Sequence, residues 1–194
     1  MATAGDDESW RQRDPAAGDQ HGRPSTGEEI AVLTHQGRTL LATAGHDHTV
    51  RLWDLATGGQ VGHPLTGHTS SVYAVTALTV QGRTLLATAG GDRTVRLWDL
   101  ATGGQVGHPL TGHTDLVNAA TALTVQGRTL LATAGFDGTV RLWDPATSAE
   151  LLRLTSGGTI RDVATGTHSD GASRFLAIAG DLGVAVLDIQ DDDA

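Results

Sequence analysis

The sequence predicts an all-β protein assembled from repeated four-stranded antiparallel sheets, and three observations lead there. A segment ending Val-Arg-Leu-Trp-Asp recurs at Trp53-Asp54, Trp98-Asp99 and Trp143-Asp144, with a step of 45 residues each time. Short runs rich in Val, Thr and Leu alternate with Gly-containing turns, the spacing of an antiparallel β array. The chain holds 26 Gly but only 5 Pro, which suits tight turns better than a disordered linker.

Taken in order, the chain begins inside a repeat. Ala2-Thr3-Ala4-Gly5 matches Ala42-Thr43-Ala44-Gly45, and the stretch from Asp14 to Pro24 matches that from Asp54 to Pro64. Residues 1–27 therefore read as an eroded partial repeat, the end of a blade-like sheet. Trp10-Arg11-Gln12-Arg13 stands where Val50-Arg51-Leu52-Trp53 stands in the next unit. The repeat array is expected over residues 28–190. Its first strand, around Ile30–Thr34, is shortened, because ten residues separate Gly27 from Gly37 and fifteen separate Gly67 from Gly82. Gly37–Gln81 and Gly82–Gln126 then differ at only six places: His46/Gly91, His48/Arg93, Ser70/Asp115, Ser71/Leu116, Tyr73/Asn118 and Val75/Ala120.

Within the second unit, Ser71–Thr79 is the first strand. Gln81-Gly82-Arg83 turns into Thr84–Thr88, and Gly90-Gly91-Asp92 turns into Thr94–Trp98. A polar turn then leads to a weaker fourth strand, Gln105–Leu110. The third unit starts at Gly127 and holds through Ala146-Thr147. A fourth is only echoed: Phe175–Asp181 resembles Leu130–Asp137, and Val184–Asp188 resembles Val140–Asp144, with Leu187 in the tryptophan's place. Residues 191–194 read as a solvated acidic tail.

Composition removes several function classes. The net charge is −9 and every basic side chain is arginine. An acidic chain with no basic patch is a poor match to nucleic acid, whose binding depends on phosphate contacts. There is no cysteine, hence no disulfide framework and no thiolate metal site. No basic-then-apolar leader is visible, and no apolar run approaches the roughly 20 residues of a membrane span. These readings predict a cytoplasmic protein with no membrane partner. Arginine without lysine, beside abundant Ala, Gly and Thr, suggests a GC-rich bacterial source.

Gly67-His68, Gly91-Asp92 and Trp98-Asp99, recurring in register at this period, resemble the WD-repeat β-propeller family, in a bacterial form with near-identical repeats. Clear motifs cover about Gly37 to Thr147. The resemblance implies about four blades of four-stranded antiparallel sheet, incomplete or closed by dimerisation. It also implies one hydrogen-bonded chain of four side chains per blade. In the second blade these are His68, Thr88, Asp92 and Trp98, and in the third His113, Thr133, Asp137 and Trp143. The first blade keeps Thr43, Asp47 and Trp53 without a histidine, and the fourth keeps Asp181 alone. A satisfied buried network is rigid, and losing one member leaves a costly orphan.

Five of the six differences fall at the turn after Gly90 or at the Gly67-His68 loop, the same end of each blade. The scaffold is copied while one rim varies. A partner-binding surface is therefore expected from His46, Tyr73, Arg93, Leu116, Asn118 and Phe136; drift at exposed positions is the competing explanation. The family resemblance agrees, since such rims commonly carry partner contacts.

Other chemistry is set aside. His46-Asp47-His48 comes nearest to a metal cluster, but the repeat supplies no third converging ligand, so no metal and no cofactor is expected. Asp47, Asp92 and Asp137 belong to the network rather than to catalysis. Ala101-Thr102-Gly103-Gly104 lacks the Gly-Lys-Ser/Thr ending of a phosphate loop. The expected function is a non-catalytic interaction scaffold for other proteins or peptides. The alternatives are a terminal sensing fragment of a larger bacterial protein with a kinase, protease or NTPase domain, or a decayed repeat fragment. Related rings usually need about seven blades, each turning the axis by roughly 51°, so four leave a gap. Gln20–Pro24 as a missing outer strand, or a homodimer completing a ring, would close it. An open monomer is not expected.

Overall fold

The computed structural model of the chain describes residues 29–167 and 174–189. The expected partial repeat at 1–27, the Gln20–Pro24 strand and the tail at 191–194 lie outside the described residues. Those described contain fifteen strands in four antiparallel sheets and no helix. Blade one is β1 (Ile30–His35), β2 (Arg38–Ala44), β3 (Thr49–Asp54) and β4 (Leu65–Thr66). Blade two is β5 (Val72–Val80), β6 (Arg83–Gly90), β7 (Val95–Asp99) and β8 (Gln105–Leu110). Blade three is β9 (Val117–Val125), β10 (Arg128–Gly135), β11 (Thr139–Asp144) and β12 (Ala149–Thr155). Blade four has β13 (Ile160–Thr167), β14 (Arg174–Gly180) and β15 (Gly183–Ile189).

Local chemistry sets each hairpin. Gln81 and Gly82, at φ 50° and 76°, form a two-residue turn with both central residues left-handed, and Val80 pairs with Arg83 across it. That turn matches the right-handed twist of the strands it joins. At the opposite end, Asp92 Oδ1 accepts from the Thr94 amide at 3.1 Å and the Thr94 hydroxyl at 2.8 Å, closing the turn from β6 to β7. Gly90 is required here: a Cβ on it would lie 2.7 Å from the Ser71 carbonyl oxygen.

The aspartate after each tryptophan has its own task. Asp99 Oδ1 accepts the Ala101 amide at 2.7 Å, and its other oxygen accepts the Arg83 Nε–H at 3.0 Å. Arg38 with Asp54 and Arg128 with Asp144 repeat the pairing. The carboxylate thus ties the turn leaving the third strand to the start of the second.

Each sheet is apolar on both faces, so each needs a neighbour on both. The first strands β1, β5, β9 and β13 lie beside one another, which puts them innermost. The face toward the preceding blade is called leading, the other trailing. Leu86 and Trp98, on the leading face of blade two, pack with Ala42, Ala44, Val50 and Leu52 of blade one. Ala87, Ala89, Val95 and Leu97 on its trailing face pack with Val117, Leu131 and Trp143 of blade three. Ala132, Ala134 and Val140 meet Ile160, Val163 and Leu176 of blade four. The leading face of blade one and the trailing face of blade four stay exposed, at Ile30 and Val32 and at Val184 and Val186. The described residues thus form an incomplete propeller.

Candidate functional site: a rim anchored by buried polar chains

The rim rests on two buried networks. In blade two the Trp98 indole N–H donates to Thr88 Oγ1 at 2.9 Å; His68 Nε2 lies 2.8 Å from that hydroxyl, and His68 Nδ1 lies 2.9 Å from Asp92 Oδ2. Blade three repeats this with Trp143, Thr133, His113 and Asp137, at 2.8, 3.0 and 2.9 Å. The donor order assigns the proton. The threonine oxygen already receives the indole N–H, so its own hydrogen is free to go to His Nε2. A neutral imidazole protonated at Nδ1 then donates to the aspartate. Burial lowers the His113 pKa against the pull of Asp137, in keeping with that neutral form. Burial by itself would raise the Asp92 pKa, but hydrogen bonds from His68 and the Thr69 amide hold it well below the usual carboxylate range.

These networks fix the rim because Asp92 Oδ2 also accepts the Thr69 amide at 3.0 Å, and Asp137 Oδ2 the Thr114 amide at 2.9 Å. The loop entering each blade is thereby joined to the turn between its second and third strands.

The end blades differ. In blade one the Trp53 indole N–H reaches Thr43 Oγ1 at 3.0 Å, but Asp47 turns to Arg51, 2.7 Å away. In blade four, Ile178 and Leu187 stand at the register positions of Thr133 and Trp143. Asp181 pairs instead with Arg161 at 2.8 Å.

The six rim residues fall into three groups. His46 and Tyr73 come together: their rings meet edge to face at 6.1 Å and 81°, and His46 Nδ1 lies 3.0 Å from Ser71 Oγ. This contact links the turn of blade one to the inner strand of blade two. Phe136 and Leu116 sit together on blade three, where the Phe136 amide donates to the Leu116 carbonyl at 3.0 Å, with Phe136 exposed and Leu116 half-buried. Arg93 is exposed in the turn of blade two. Asn118 faces another way: its Nδ2 donates to the Arg161 carbonyl of blade four at 2.5 Å, and its Oδ1 is buried without a partner.

Size is traded across this rim. A Cβ on Gly91 would lie 3.3 Å from the Tyr73 ring and 2.7 Å from Ser70 Oγ, so the small turn residue makes room for the large inner one. Blade three reverses the pair, with Asn118 inside and Phe136 on the turn. Blades one, two and three present His46, Tyr73 and Phe136 at this level, whereas blade four has Arg161 on its inner strand and Asp181 in its turn. Among the described residues no group of three or more His, Asp or Glu side chains could hold a metal ion.

Sequence reasoning missed several contacts. The Arg83–Asp99 pairing was readable, since Arg recurs sixteen residues before each Asp of the Trp-Asp pair. The Glu29 carboxylate accepting the Val75 amide at 2.9 Å was not, because the two are far apart in sequence and Glu29 stands where blades two and three have Ala74 and Ala119 and blade four has Asp162. Burial pushes the Glu29 pKa up to about 7.

Blades of four antiparallel strands, joined by a His–Asp-anchored loop and closed by Trp-Asp, define a protein of the repeat-propeller class. A family model described as WD domain, G-beta repeat matches residues 25–54, 59–99 and 104–144, more than half of the chain. The chain belongs to the WD40 repeat family. No curated protein matches it. WD40 repeats generally mediate protein–protein interaction, and their domains are typically non-catalytic.

Proposed function

We propose that the chain is a non-catalytic interaction scaffold that captures a protein or peptide on the rim carrying His46, Tyr73, Arg93, Leu116 and Phe136. The observation that carries this reading is the concentration of variation at one end of the copied blades, where five of the six differences between the two most similar units lie. A backbone cost supports it. His48 and Arg93 hold left-handed backbone, at φ 69° and 66°, where blade three has Gly138 at φ 70°. A side chain in that region costs of order 1 kcal/mol relative to glycine. Gln36, Gln81 and Gln126 accept a similar backbone in the hairpin turns at the other end of the blades, but there the residue is the same in every copy, whereas the rim position changes from His48 to Arg93 to Gly138.

Tyr73 with His46 offers a half-buried aromatic step beside polar Ser70 and Ser71, and Phe136 offers a second ring one blade on. Partly buried aromatics edged by polar groups are typical anchors of protein recognition. A peptide-display selection against the wild-type chain, repeated on Tyr73→Ala and Phe136→Ala, tests this. Selected peptides are expected to bind wild type and lose at least tenfold in affinity on either variant. His108→Ala, on an outer strand away from the rim, should leave binding intact. Peptides indifferent to both rim variants would defeat the assignment.

A further inference from the structure

We propose that two copies of the chain pair end to end, the trailing face of blade four of each packing on the leading face of blade one of the other, so that eight blades close one ring. The inference does not rest on the rim reading.

The exposed faces are the two halves of a junction that the chain already makes internally. Val184 pairs with Ala179 as Val95 pairs with Ala89, and Val186 with Ala177 as Leu97 with Ala87. Val95 and Leu97 are 0% and 2% exposed beneath blade three, whereas Val184 and Val186 are 75% and 56% exposed. On the first sheet, Val32 pairs with Leu41 and Leu41 with Trp53, as Ala77 pairs with Leu86 and Leu86 with Trp98. Leu86 and Trp98 are buried under blade one, but Val32 is 62% exposed and Ile30 is 52% exposed. Solvent-facing sheets have no need of valine and isoleucine at positions that elsewhere lie inside a junction.

The shapes are matched as well. The leading face of blade one is bulkier than its counterparts, with Ile30 and Val32 where blade two has Val75 and Ala77. The trailing face of blade four is reduced where Val186 replaces Leu52, Leu97 and Leu142. That face keeps its apolar character through Phe175, whose ring lies over Gly166, the position of Leu78 and Leu123.

A second copy is the occupant that supplies both halves at once and in equal number. Among the described residues each chain carries one donor face and one acceptor face, and the exposures of Val32 and Val186 show that they do not lie on each other. Head-to-tail contacts of this kind either close by rotation or run on as a filament. The four sheets among the described residues of each of two chains give eight, within the size range of natural propellers.

Light scattering coupled to gel filtration, at micromolar concentration on the 194-residue chain, reads the outcome. The expected mass is twice the 20.0 kDa of one chain. Val32→Glu on the leading face and Val186→Glu on the trailing face should each give a folded monomer with a cooperative melt. Mixed in equal amounts, the two variants should associate again as a one-to-one dimer, because the mixed pair retains one junction without a substitution. Val184→Lys replaces Val186→Glu if the latter fails to fold. A wild-type monomer, or masses above two chains, would overturn the closed pair. So would variants that remain dimeric, or a mixture that stays monomeric. A monomer that associates only after removal of residues 1–28 would assign the leading face to the chain's own N-terminal residues, and would overturn it too.

Discussion

At the residue scale, Thr88 joins two buried partners through one hydroxyl. Its hydroxyl oxygen receives the Trp98 indole N–H, and its hydrogen goes to His68. Thr88→Val keeps the shape and orphans both partners in a fully buried place, at a cost of about 1–3 kcal/mol. Thr43→Val should cost clearly less, because blade one makes only the Trp53 bond and that site is half-buried. Urea denaturation of the two variants checks the order. Glu29 gives the pH counterpart. Its folded pKa, about 7, lies above the ordinary 4.5 because burial penalises the charge, so the folded state binds the extra proton. Stability from this group is full below about pH 4.5 and is lost as pH rises through 7. Glu29→Gln keeps an acceptor for the Val75 amide without the charge. It should be more stable than wild type by about 1–3 kcal/mol at pH 8, toward the lower end because Glu29 keeps some solvent contact. The difference should vanish near pH 4, as thermal melts at the two pH values will show. Of these two residues only Thr88 could be placed from sequence, since its partners recur at the repeat period. Glu29 has no equivalent in the copied units to mark it.

At the scale of elements, the copied units made strand order, hairpin turns and faces legible. The alternation of Thr94, Arg96 and Trp98 against Val95 and Leu97 is the division of the two blade junctions. Blade four was less legible because its network residues have been exchanged for apolar ones, so the recurring pattern stops where packing takes over. Leu187 occupies the place of Trp143, paired with Leu176 as Trp143 is with Leu131. Beside it an apolar cleft of about 370 Å³ opens between blades three and four, lined by Leu142, Leu152, Leu154, Leu176 and Ile189. The smaller side chain leaves the outer part of this junction underfilled, and a lining without partner atoms forfeits dispersion energy. Leu187→Trp should therefore stabilise, by about 1 kcal/mol from added apolar burial. Ile178→Thr in the same chain should add a receiver for the new indole N–H. A higher urea midpoint for the single variant, raised again in the double, is the expected result. A lowered midpoint would mean that the junction is already closed to a larger ring.

At the scale of the whole molecule, blades touch only their neighbours, so stability distributes along the chain as a sum of blade and junction terms. Blades two and three have complete polar networks and a neighbour on each face. Blade one lacks the histidine link and a leading neighbour among the described residues. Blade four lacks the network and, among the described residues, a fourth strand. Local opening should follow this order, because amide exchange reports the cost of exposing each cooperative unit. In hydrogen exchange, β6 and β10 should therefore be protected longest, and β2 and β14 should exchange earlier. Pairing of two chains would slow β2 and β14 selectively, since they lie in the sheets that gain a neighbour, while leaving β6 and β10 nearly unchanged. Exchange measured across a dilution series consequently separates the two contributions. A protection gradient that flattens as concentration rises locates the added stability at the ends of the array. A gradient independent of concentration, with the centre still slowest, attributes it to the buried polar chains alone. Uniform protection at every concentration would contradict the additive picture, because it would require blades with incomplete networks to open at the same cost as complete ones.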